Sequence, residues 1–132
     1  MIFVDTGAWF AAAVPNDPDH AAADTWLVQN RELLVTTDYV LDELLTLLKR
    51  RGEYQRALHW GPAILGGTIA RLEWVAPADV RAAWEVFRDF QDKGWSFTDC
   101  TSRAVIQRLS IVTAFAFDEH FRQFGSVAVV PG

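Results

Sequence analysis

Short apolar runs alternate with helical stretches along this chain, and two of those runs end directly at an aspartate. Met1–Val4 stops at Asp5, and Ile111–Phe117 stops at Asp118. An apolar run without polar alternation predicts a strand buried on both faces. Such strands, separated by helices long enough to serve as crossovers, predict an α/β sandwich with a mostly parallel sheet. Further strands are expected at "ELLVTT" (32–37), "TIARLEWV" (68–75) and "VAVV" (127–130). Helices are expected from Thr6 to Val14, ahead of Pro15, and from an Asp19 cap to about Gln29. "DYVLDELLTLLKRRG" ends in basic residues and Gly52, as a helix C-terminus does. A helical hairpin over Glu53–Leu65 is expected to be punctuated by "WGP" and closed by Gly66-Gly67. Pro77 opens a long helix, "PADVRAAWEVFRDFQDKG". Ser96 and Asp99 form a capping-box pattern for a helix through Leu109, and Glu119–Gln123 reads as a helical turn.

The chain of 132 residues fits one domain, 1–132, able to bury a real core. Its residues are 51% hydrophobic and include 6 Trp and 9 Phe, enough to leave apolar surface for a partner. A single cysteine, Cys100, excludes an internal disulfide and a cysteine-based metal cluster, and suits a cytoplasmic protein. "AWFAAAV" reaches Pro15 too soon to span a membrane, and no basic leader precedes it. The net charge of −5 argues against tight non-specific nucleic-acid binding. It leaves room for a nuclease whose acids dominate the sum. Basic groups do occur, as Lys49-Arg50-Arg51 with Arg56, and as Arg103 with Arg108. For Lys49–Arg51 the plain reading is a solvated helix end complementing the dipole.

Asp5 stands in the triplet Asp-Thr-Gly, shared with aspartic proteases. Those enzymes are nearly all strand, whereas the longest elements here are helices, so fold class excludes that reading. Ligands of open α/β sheets collect outside the carboxyl ends of the strands. Asp5 and Asp118 fall there, and Asp99 opens a helix after "WSF". Each one alone reads first as an N-cap, which contributes about 1 kcal/mol. Their repetition at element ends favours a shared site. Glu43 is the fourth candidate. At about 100° per residue, Val40, Leu41, Leu44, Leu45, Leu47 and Leu48 form one apolar arc. Glu43 lies about 40° beyond its Leu47 edge, while Asp42 points to the solvent face and is expected to be only a surface charge.

Four carboxylates in one place raise each other's pKa, and a hard divalent cation removes the conflict. Mg²⁺ suits oxygen ligands and binds where phosphate also coordinates, which points to phosphodiester hydrolysis. His20, His59 and His120 share no metal-ligand spacing, and Cys100 reads as a small buried residue. No Gly-rich phosphate loop is present.

"FVDTGAWF", "VTTDYVLDELLTLLKRRG", "SFTDC" and "AFAFDEHFRQFG" resemble, in order and approximate spacing, the four blocks of PIN-domain ribonucleases, above all the VapC toxins of toxin–antitoxin pairs. The resemblance implies a three-layer α/β/α sandwich and Mg²⁺- or Mn²⁺-dependent RNA cleavage leaving 5′-phosphate and 3′-hydroxyl ends. The family's acids fall on Asp5, Glu43, Asp99 and Asp118, and its supporting hydroxyls on Thr6 and Ser96. It further implies a homodimer and a cognate antitoxin, whose Arg or Lys could enter the acidic cluster in competition with Mg²⁺. Trp60, Ile64 and Leu65 are the apolar residues expected at such contacts. The alternatives are a stand-alone RNA-processing nuclease and a non-catalytic PIN-like interaction module.

Overall fold

The computed structural model describes residues 1–132. Five parallel strands form one sheet: β1 (Ile2–Val4), β2 (Leu34–Thr37), β3 (Arg71–Glu73), β4 (Thr113–Phe115) and β5 (Ala128–Val130), in the order β3-β2-β1-β4-β5. Seven helices accompany it: α1 (Thr6–Ala13), α2 (His20–Gln29), α3 (Asp38–Arg50), α4 (Tyr54–Leu65), α5 (Pro77–Asp89), α6 (Phe97–Arg108) and α7 (His120–Gln123). β1 and β2 are buried along their whole length, as their unbroken apolar and threonine runs require. From β1 the chain builds outward to β2 and β3 on one side and later to β4 and β5 on the other. The order therefore reverses between β1 and β4, where an open α/β sheet leaves a crevice at its carboxyl end.

A buried hydrogen-bond relay fixes that crevice. Trp9 Nε1 on α1 donates to Thr36 Oγ1 on β2 at 3.1 Å, and that hydroxyl donates to the Val4 carbonyl on β1 at 3.0 Å. The relay ties α1 to the central strands within one turn of Asp5, and each bond contributes about 1 kcal/mol net. On the other side, the Asp5 N–H donates to the Phe115 carbonyl at 3.1 Å.

Several elements differ from expectation. The segment Glu53–Leu65 is one helix that runs through Pro62, without a break at "WGP". Pro62 and Leu58 are both exposed, so the Leu58 carbonyl that loses its i+4 donor lies on the wet side of α4. Gly61 lies against Leu45, where a Cβ would stand 3.4 Å from its methyl carbon, so a small residue lets α4 pack closely on α3. β3 spans three residues of the expected eight, and β4 three of the Ile111–Phe117 run. α5 stops at Asp89, because Phe90 leaves helical geometry and packs its ring 5.5 Å from that of Trp95. The helix-opening signals hold: Pro77 starts α5, and the Ser96/Asp99 box starts α6. The apolar surplus assigned to association is partly internal. Ile64 is fully buried and Trp60 packs against Trp9 at 6.1 Å, whereas Leu65 is exposed. No helix is long and apolar enough to cross a membrane.

Candidate active site

At the β1/β4 reversal, an open cleft of about 520 Å³ is lined by Asp5, Thr6, Glu43, Ser96, Asp99 and Asp118, all six residues singled out from the sequence. They arrive on separate elements. Asp5 follows β1, and Thr6 opens α1. Glu43 projects from the second turn of α3, whose start is fixed by Thr37 Oγ1 accepting from the Val40 N–H at 3.1 Å. Asp99 sits in the first turn of α6, and Asp118 lies three residues past β4.

Asp5 occupies the N-cap position of α1, yet its side chain makes no capping bond. Its Oδ1 is buried and has no partner. Desolvation by burial is the main force holding this carboxyl's pKa well above the carboxylate range, followed by Asp118 and Asp99. The Thr6 backbone N–H offsets part of the rise, and Glu43 adds to it. A carboxylate this buried (2% exposed) with an orphaned oxygen is a poor cap and a natural ligand. Its position alone would have left the capping reading open.

Glu43 is half-buried, and its pKa is also raised, first by burial and then by Asp99, Asp118 and Asp42. The Thr6 hydroxyl faces it and offsets part of this rise, but Thr6 Oγ1 is itself buried with no partner at hydrogen-bonding geometry. Asp99 is the best-oriented acid. Its N–H donates to Ser96 Oγ at 3.0 Å, and its Oδ2 accepts from the Ser96 N–H at 3.0 Å. Burial raises its pKa, while the Ser96 N–H and His120 hold it back. Asp118 is the most open of the four, with 44% of its side chain exposed.

Sequence reasoning missed His120. Its Nδ1 lies 2.7 Å from Asp99 Oδ2, and its backbone N–H donates to Asp118 Oδ1 at 3.0 Å. One residue therefore braces the third and fourth acids. Its place two positions after Asp118, at the start of α7, was the available signal. Asp42 is exposed as expected, but it borders the cleft and contributes to the field on Glu43. Thr46 and Arg50 line the same wall of α3. Cys100 is buried, with its thiol pushed up to about 11 chiefly by burial, which makes it inert as a nucleophile.

The donor set fits a hard divalent cation. Every candidate ligand atom is oxygen, two of the buried oxygens are orphaned, and the acids raise one another's pKa. No three His, Cys, Asp or Glu side chains close into a ready-made cage.

The PIN-domain family profile matches residues 2–127. The chain is 36% identical over 131 residues to the 23S rRNA-specific endonuclease VapC20 of Mycobacterium tuberculosis, in two strains, covering 99% of each chain. The crystal structure of that organism's VapC20, described as a Sarcin-Ricin loop cleaving toxin, superposes with a TM-score of 0.90 at 34% identity, covering 96% of this chain and 97% of that one. FitAcB from Neisseria gonorrhoeae shares the fold, with a TM-score of 0.71 at 17% identity over 98% of this chain and 96% of that one.

Proposed function

This chain belongs to the PIN-domain family, and from that premise we propose that it is a divalent-metal-dependent endoribonuclease, the toxin of a toxin–antitoxin pair, acting on ribosomal RNA. The observation that carries the reading is the meeting of Asp5, Glu43, Asp99 and Asp118, drawn from four separate segments, in one open cleft at the sheet's reversal point. Asp5, Glu43, Asp99 and Asp118 would hold Mg²⁺ or Mn²⁺, with Thr6 and Ser96 in support. When bound, the cation supplies positive charge that acidifies water and offsets charge on the reacting phosphate oxygens. The chain itself fixes its acids in advance. Ser96 and His120 orient Asp99, the His120 N–H orients Asp118, and the rigid β1–α1 junction orients Asp5. Asp5 and Asp99 are buried at the base of the cleft, while Asp118 stays open to solvent. The 23S rRNA named for the 36%-identical relative makes large-subunit ribosomal RNA the substrate class to try first.

The partners follow from surface chemistry. Trp84 and Phe87 on α5 and Leu58 and Leu65 on α4 are exposed, which supports association with a second copy and with an antitoxin segment. A basic side chain from that segment would enter the acidic cleft in place of metal charge. The test is cleavage of ribosomal RNA with Mg²⁺ or Mn²⁺, abolished by chelation, with product ends that ligate at a 5′-phosphate without kinase treatment. A 2′,3′-cyclic phosphate product would refute hydrolysis by an activated water, because it requires attack by the RNA's own 2′-hydroxyl.

A further inference from the structure

We propose that Arg50 is an RNA-phosphate clamp, holding a backbone phosphate next to the one that is cleaved; this rests on the ribonuclease reading above. The basic run Lys49-Arg50-Arg51 looks uniform in the sequence, but the fold gives its members three different environments. Lys49 Nζ lies over the Tyr54 ring at 5.6 Å from its centroid. The Arg51 guanidinium lies over the Phe10 ring at 5.9 Å. Nearby Arg56 is paired with Glu53 at 2.7 Å. Arg50 alone lines the acidic cleft, and it makes no ion pair or hydrogen bond within the chain.

Helix arithmetic explains the placement. Seven residues separate Glu43 from Arg50, which is within about 20° of two full turns, so both side chains leave the same face of α3. The same spacing sets Arg50 about 10 Å farther along the axis, at the rim. It is too far out to neutralise the acids and well placed to meet the strand leading into them. The cleft's acids repel RNA, so a cation at the mouth is needed to guide a phosphodiester in. An exposed guanidinium with free donors offers a two-pronged hydrogen bond to phosphate oxygens.

The experiment measures both binding and kinetics on the full chain. Labelled single-stranded RNA is titrated by fluorescence anisotropy against the cleavage-deficient Asp5→Asn protein across a range of KCl concentrations. Arg50→Gln is added in that background and, separately, in the active chain. The expected result is RNA affinity reduced roughly three- to tenfold, with the salt slope shallower by about 0.7, one phosphate contact on a single strand. In the active chain KM rises by a similar factor while kcat is unchanged. Arg50→Lys should keep the slope, because it keeps the charge. Lys49→Gln, which removes a cation lying over Tyr54, should leave both slope and affinity as they were. An active chain whose KM, affinity and salt slope are untouched by Arg50→Gln overturns the clamp and leaves the nuclease standing. An equal loss from Lys49→Gln also overturns it, since the effect would then be net charge. A chain that cleaves no RNA with either metal refutes the ribonuclease reading itself, and the clamp with it.

Discussion

Arg108 offers a decisive test of whether a basic residue near the C-terminus of α6 serves RNA or the fold. In sequence it pairs with Arg103 as a candidate nucleic-acid contact. In the structure it is committed elsewhere. Its Nε donates to Asp79 Oδ1 at 3.0 Å, its Nη2 to Asp79 Oδ2 at 2.9 Å, and its Nη1 to Glu73 Oε1 at 2.9 Å. Asp79 is 3% exposed, and its only other partner is the Ala76 N–H at 2.8 Å, which it caps. Replacing Arg108 with leucine strands a buried carboxylate. Breaking a buried pair costs about 3–5 kcal/mol. Arg108 itself is 37% exposed and Asp79 keeps its N–H donor, so water and the cap discount this to roughly 2–3 kcal/mol. For a chain of 132 residues, 1 kcal/mol moves the melting temperature by about 4 °C, giving a fall of roughly 8–12 °C at pH 7. The pH dependence has a fixed sign. Arg108 is the first cause lowering the pKa of both Asp79 and Glu73 in the folded state. Their contribution is therefore complete above the unfolded carboxylate values near 4 and is lost as pH falls through the lowered folded values. The gap between wild type and Arg108→Leu should be widest at neutral pH and should narrow as pH falls below about 4. Thermal melts followed by circular dichroism across that range measure it, with RNA cleavage assayed well below either transition. A melting gap under about 2 °C at pH 7, or one that persists undiminished at low pH, refutes the ion-pair argument. A selective rise in KM for RNA at unchanged stability would return Arg108 to the RNA interface.

Asp5→Asn should abolish cleavage while leaving the metal-free protein at least as stable at neutral pH, because it removes one charge from a buried, mutually repelling set; a lower melting temperature without metal would refute this. His120→Phe should weaken Mn²⁺ binding, read from the free-ion paramagnetic resonance signal, by roughly tenfold or more through loss of the donor to Asp99. His120→Asn, whose amide nitrogen can stand near the position of Nδ1, should recover part of that loss, and failure of the two to differ would assign the effect to ring packing.

What could be read from the sequence was what local geometry determines. Asp5 and Asp118 were visible because a doubly buried strand has no polar alternation, so the first acid after it stands out. Glu43 came from its angle to the leucine arc, and Asp99 from a capping box that the structure reproduces in both of its bonds. The failures share a different cause. Pro62 signals a helix break on local grounds, but Gly61 against Leu45 and the exposed position of Leu58 and Pro62 let α4 run on. His120 binds an acid 21 positions earlier in the chain, a pairing that only the β4–α7 turn creates.

Arg50 is the instructive intermediate, since the wheel that selected Glu43, extended to the end of α3, puts on the same face a residue that the charge run alone marks as a solvated helix end. What the wheel could not supply was the fate of its neighbours. Lys49 and Arg51 lie over rings contributed by α4 and α1, and knowing that requires knowing that α4 folds back on α3 and that α1 packs beside it. A charge run carries no direction until its tertiary partners are assigned. The same argument applies to the whole site: Phe3 pairs with Ala114 and Val4 with Phe115, so β1 and β4 end level with each other. That register brings Asp5 and Asp118 to one rim. A slip of the pairing by one residue would exchange the two faces of a strand and shift one acid along the rim relative to the other. The candidate site is therefore a consequence of register, set by the burial of Phe3, Val4, Ala114 and Phe115, before any of its acids is considered.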